Sequence, residues 1–158
     1  MKTGQAYPSS QSPIILQTIL RVLLGAFLIF AGVSHVTFAR TEFLAQVPPW
    51  VPLDGDLTVV ISGVVEILLG FGLVFLSRQS VLFGLAAAVF FVVIFPGNIS
   101  QYLNRIDAFG LNTDQARLVR LFFQPLLVIW ALWAPGSWNA LRAARFNLRQ
   151  FFTTAIGR

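Results

Sequence analysis

The chain has 158 residues, 56% of them hydrophobic and only 11% charged, with a net charge of +5. A typical soluble domain is about a quarter charged, and no soluble core of this size could hide sixteen Phe and four Trp beside the other apolar residues, so the chain is expected to be an integral membrane protein. The absence of Cys removes disulfides, thiolate zinc sites and iron–sulfur ligation. One His and one Met speak against a haem pocket or histidine-rich metal site, so no metal is expected. The basic residues are scattered rather than gathered in a stripe, which argues against nucleic acid as a partner.

Taken in order, residues 1–13 are polar with two prolines and read as a short disordered leader. Four apolar runs follow, at about 14–38, 57–76, 80–99 and 118–134. Each approximates the ~20 residues that cross a ~30 Å hydrocarbon core as a helix. The first run is longer than a signal-peptide core and is read as an uncleaved span. None shows the alternation of a membrane strand. The fold class is therefore all-α, an integral membrane four-helix bundle over 14–136, followed by a tail over 137–158.

Loop charge orients the bundle. With both termini cytoplasmic, the inner segments hold Lys2, Arg78, Arg142, Arg145, Arg149 and Arg158 and no acid. The outer segments mix Arg40, Arg105, Arg117 and Arg120 with Glu42, Asp54, Asp56, Asp107 and Asp114. Ser77-Arg-Gln-Ser80 is a tight inner turn, so the second and third helices are antiparallel neighbours. The outer connection 39–56 carries Phe43, Leu44, Val47, Trp50 and Val51, and Pro48, Pro49 and Pro52 prevent a continuous helix there. It reads as an interfacial lid anchored by Trp50, or as an ordinary amphipathic loop. The tail, with Arg142, Arg145 and Arg149 at helical spacing, reads as a basic amphipathic cytoplasmic helix lying on the inner leaflet.

Two ionisable residues interrupt the runs. Arg21, Gly25, Leu28, Gly32 and His35 follow steps of 4, 3, 4 and 3 and form one stripe of the first helix. Val59, Gly63, Glu66 and Gly70 follow steps of 4, 3 and 4 on the second. Small residues repeated on one face let backbones approach in lipid, so the stripes are expected to pack together, antiparallel. Glu66 then lies near the midplane, with Arg21 toward the inner side and His35 toward the outer, and either could engage it. An intramembrane charge is a functional-site hypothesis by default; the plainer reading is that Arg21 snorkels and Glu66 pins the packing. Pro96-Gly97-Asn98 is expected to break the third helix near its outer end. Arg117, Arg120 and Gln124 line the outer part of the fourth, which Pro125 loosens. Polar groups thus converge on the outer half, suggesting a pocket under the lid formed by Pro48, Pro49 and Trp50.

These segments also carry a family likeness. Phe30-Ala-Gly-Val-Ser-His35, Val47-Pro-Pro-Trp50-Val-Pro52, Ile61-Ser-Gly-Val-Val-Glu66-Ile-Leu-Leu-Gly70, Val93-Ile-Phe-Pro96-Gly-Asn98-Ile, Arg120-Leu-Phe-Phe-Gln124 and Trp130-Ala-Leu-Trp133, in this order, resemble the DoxX family of small membrane proteins from Leu20 to Ala134. Two departures are Gly97, where the family often has Ala, and Phe122, where it often has Pro, with Pro125 following Gln124. The resemblance implies a four-helix bundle in a bacterial inner membrane. It also implies links to membrane oxidoreductase complexes, oxidative-stress responses and, in one branch, a thiosulfate:quinone oxidoreductase.

The expected function is a quinone- or lipid-interacting accessory subunit of a membrane oxidoreductase system. An apolar bundle with a few convergent polar groups suits a quinone headgroup as cofactor. The expected contacts are His35, Glu66, Asn98, Arg120 and Gln124, with Arg21 and Glu66 as ion pair or proton-handling groups. The alternatives are a small-molecule carrier or lipophilic-ligand binder, which would need to form a homo-oligomer, and a structural subunit that holds partners through its glycine faces and basic tail. No nucleophile triad, phosphate loop or metal cluster is present.

Overall fold

The computed structural model describes residues 14–145, so the expected leader and the last part of the tail, 146–158, lie outside the described residues. The long helices are α1 (Ile15–Val36), α3 (Gly55–Phe75), α4 (Ser80–Leu103) and α5 (Asp114–Trp133), with a short α2 (Arg40–Leu44) in the first long connection. A further helix, α6, is under way over 137–145. The four long helices are each long and apolar enough to cross a membrane, and no strand occurs among the described residues. The chain is a multi-pass helical membrane protein.

The helix starts follow from local chemistry. Asp54 Oδ1 accepts from Leu57 N at 3.0 Å and Thr113 Oγ1 from Ala116 N at 3.2 Å. Each satisfies an amide that the first turn leaves unpaired. Asp56 and Asp114 in the first turns of α3 and α5 complement the positive ends of the helix dipoles. A 3₁₀ turn, Ser77–Gln79, joins α3 directly to α4. The bundle thus has a short-turn end, with residues 76–79 and 134–136, and a long-loop end, with residues 37–54 and 104–113.

The closest packing is between α1 and α3. The two stripes face each other: Arg21, Gly25, Leu28, Gly32 and His35 are buried, as are Val59, Gly63, Glu66 and Gly70. A Cβ placed on Gly63 would stand 2.7 Å from His35 Cβ and 2.9 Å from Gly32 O, and one on Gly25 would stand 2.8 Å from Gly70 O. Backbone meets backbone at two levels, which only glycine allows. The hydrophobic core joins Leu28 to Leu24, Leu69, Leu73, Ala87, Ala88, Phe91 and Ala131, where small residues of α4 and α5 receive the leucines of α1 and α3. α4 pairs mainly with α5, whereas α1 and α5 touch sparingly.

The expected break at Pro96 does not occur. α4 runs through Pro96 to Leu103, four residues beyond the span anticipated from hydropathy. Proline removes one backbone N–H and crowds the carbonyl one turn back. Here polar cross-links hold the helix on both sides of that defect: Gln124 Nε2 donates to Phe91 O at 2.6 Å, and Asn98 Nδ2 donates to Gln124 Oε1 at 2.9 Å. α5 likewise continues through Pro125.

Candidate functional site

Glu66 lies halfway along α3 and is 5% exposed. Helical side chains lean toward the N-terminus of their own helix. In the antiparallel α1/α3 pair, Glu66 therefore leans toward the long-loop end, and His35, in the last turn of α1 at that end, leans back toward it. Their side chains meet, with His35 Nδ1 3.1 Å from Glu66 Oε2. Arg21 leans the opposite way and does not pair with Glu66. Its Nη1 instead donates to Leu73 O, at the C-terminus of α3. The amide of Leu76 closes the last helical bond to Gly72 O, so Leu73 carries the next carbonyl, and a guanidinium there satisfies it and complements the negative end of the dipole.

His35 Nδ1 also lies 2.8 Å from Ala31 O. The imidazole is thus poised between a backbone carbonyl and a carboxylate, and a single Nδ1–H cannot be well aligned to both. The 3.1 Å separation marks an electrostatic contact, but Glu66 Oε2 has no aligned donor and is the one fully enclosed side-chain oxygen without a partner among the described residues. A buried acceptor left in this state is costly unless a proton or a ligand donor reaches it.

The first long connection caps this pair. The His35 ring stacks on Phe43, with centroids 3.4 Å apart and planes 17° apart. Phe43 meets Phe109 edge-on at 4.6 Å, and the Arg120 guanidinium lies 4.9 Å above Phe109. Arg120 Nη2 donates to Gln46 Oε1 at 3.0 Å, and Gln46 Nε2 donates to Gln101 Oε1 at 2.8 Å. Glu42 accepts from the Phe109 amide, and Arg40 pairs with Asp56. The connection is therefore tied to α3, α4, α5 and the second connection. Arg117, 5% exposed, holds Asp107, Asp114 and the Ile106 carbonyl, so it anchors the second connection.

Of the anticipated contact residues, His35 and Glu66 come together, as do Asn98 and Gln124, while Arg120 joins the first pair through Phe109 and Phe43. No hydrogen bond links Glu66 to the Asn98–Gln124 pair among the described residues. Pro48 is buried, whereas Trp50 is 66% exposed. Trp50 and Pro49 line a shallow depression of about 270 Å³ with Pro96, Ile99, Ser100, Leu103 and Asn104. Gln46, Gln101 and Phe109 were not anticipated. The hydrogen-bond partners that tie Gln46, Gln101 and Phe109 across the two connections stand 55 or more residues away, and no local spacing announces such pairs.

Among curated proteins and among solved structures, no match to this chain is found. A family model matches residues 24–135, from the glycine seam of α1 to the end of α5. The chain belongs to that family, described as a domain of unknown function, DUF8561.

Proposed function

We propose that this protein sits in the bacterial inner membrane with both termini cytoplasmic. There it binds the headgroup of a quinone-class lipophilic ligand in the outer half of its bundle. The observation that carries this is the Glu66 carboxylate, 5% exposed, with one oxygen lacking a donor, beside the only histidine of the chain. A quinone supplies carbonyl oxygens that take up protons when it is reduced. In this reading His35 and Glu66 hold and pass the proton, and the connection carrying Phe43, Pro48, Pro49 and Trp50 acts as a lid that keeps water from them. Arg120 and the Asn98–Gln124 pair supply further donors on the same half of the bundle. The role of accessory subunit in a membrane oxidoreductase system rests on the DoxX-like motifs.

The test is titration of the purified protein in nanodiscs with a short-chain benzoquinone or naphthoquinone. Saturable binding weakened about tenfold or more by Glu66→Gln, as loss of one charged hydrogen bond predicts, supports the proposal. Absence of saturable binding, or binding indifferent to Glu66→Gln and His35→Ala together, overturns it. One observation favours a purely structural subunit: Arg21, Arg117 and Gln124 all have internal partners. Under that reading only stability, and no ligand titration, responds to the substitutions.

A further inference from the structure

At the short-turn end, α1 and α5 leave a groove of about 320 Å³, lined by Leu20, Leu126, Ile129, Trp130 and Trp133. Every lining residue is apolar or aromatic. Ile129 is 62% and Leu126 58% exposed, so the groove opens sideways, toward hydrocarbon in a membrane. Its floor is fixed rather than collapsible: Trp130 Nε1 donates to Leu20 O at 3.0 Å and Gln17 Nε2 to Trp133 O at 3.3 Å. Leu126 to Trp133 rises about 10 Å, against the ~15 Å of hydrocarbon in one leaflet. The groove therefore has the length and lining for the upper part of one acyl chain, with its mouth at headgroup level.

The charge at that end of the bundle is of one sign. The acids of the chain are Glu42, Asp54, Asp56, Asp107 and Asp114 at the long-loop end and Glu66 at mid-helix, so none lies at the short-turn end. Arg78, Arg142 and Arg145 do, and none of them has an ion-pair partner among the described residues. α6 starts four residues after Trp133, pinned where Ser137 Oγ donates to Val81 O at 2.9 Å. Arg142 then lies about 8 Å along α6 and Arg145 about 12 Å. Arg142 Cζ stands 5.3 Å over the Trp138 ring, an arrangement that keeps an amphipathic aromatic and a cation together at headgroup depth.

We propose that this groove and the start of α6 form a binding site for an anionic phospholipid, with one acyl chain between α1 and α5 and the phosphate facing Arg142 and Arg145. The site is separate from the Glu66 cluster, which lies toward the opposite end, and does not depend on what that cluster binds.

The test is native mass spectrometry of the full chain in detergent with equimolar phosphatidylglycerol and phosphatidylcholine of identical chains. A basic residue near an anionic surface favours it by roughly fivefold, so two arginines give an expected preference of about tenfold or more for phosphatidylglycerol adducts. Arg142→Gln with Arg145→Gln should bring the ratio near one while both lipids still bind. Ile129→Trp, which fills the groove, should reduce retention of both. Quenching of tryptophan emission in the unsubstituted protein gives an independent reading. Brominated phosphatidylglycerol in a phosphatidylcholine vesicle should quench more than brominated phosphatidylcholine in a phosphatidylglycerol vesicle at the same mole fraction. Equal retention of the two lipids by the unsubstituted protein, or an unchanged preference in the double arginine variant, overturns the proposal.

Discussion

Gly63→Ala tests the seam on which the Glu66 cluster depends. The added methyl would stand 2.7 Å from His35 Cβ and 2.9 Å from Gly32 O. Carbon atoms rest at ~3.5–4.0 Å, so the helices must part by about 1 Å. Overpacking of that kind costs about 1–3 kcal/mol, and the better helix propensity of alanine returns at most about 1 kcal/mol. A net loss of up to about 2 kcal/mol remains, or up to roughly 8 °C in Tm for a chain of this size. The same displacement would carry His35 from 3.1 Å to about 4 Å from Glu66 and weaken their electrostatic contact. Thermal unfolding in detergent gives the first quantity, and the infrared carboxyl band of Glu66, assigned by comparison with Glu66→Gln, reports the second. A variant as stable as the parent with an unshifted carboxyl band would refute the close approach of α1 and α3 and the placement of His35 that follows from it.

Other substitutions separate the roles of the neighbouring residues. Arg21→Met should leave the Leu73 carbonyl unpaired and lower stability by about 1–3 kcal/mol, with the Glu66 carboxyl band unchanged; a shifted band would contradict the separation of the two charges. Gln124→Leu removes two hydrogen bonds and should cost about 1 kcal/mol, at the ~0.6 kcal/mol usual for each between membrane helices. Adding Asn98→Leu should cost less than the sum of the two single changes, and strict additivity would show that the pair is not made. Phe43→Ala should uncover the single histidine, so that diethyl pyrocarbonate modifies it several times faster; an unchanged rate would mean the connection does not shield His35.

Much of this was readable from spacing. The steps of three and four that placed Arg21, Gly25, Leu28, Gly32 and His35 on one face, and Val59, Gly63, Glu66 and Gly70 on another, pick out buried residues on both helices. The lean of helical side chains would also have decided between Arg21 and His35 as the neighbour of Glu66, since in an antiparallel pair only His35 leans toward it. The continuity of α4 through Pro96 was not readable, because it rests on Gln124 and Asn98 contributing from two helices. Nor were Gln46 and Phe43, since a loop residue has no periodicity and its place depends on how the whole connection folds back. In lipid, hydropathy reports which segments are immersed, while polar partners decide how they are joined.

The depth of Glu66 has an electrical consequence. It stands eleven residues beyond Gly55, the first residue of α3, hence about 17 Å into a core of ~30 Å. A proton reaching it from either face crosses about half of the membrane field, worth about 1 kcal/mol for each 100 mV. That is roughly sixfold in occupancy for each 100 mV. Any proton that reaches Glu66 therefore moves through part of the voltage across the membrane, from whichever face it comes.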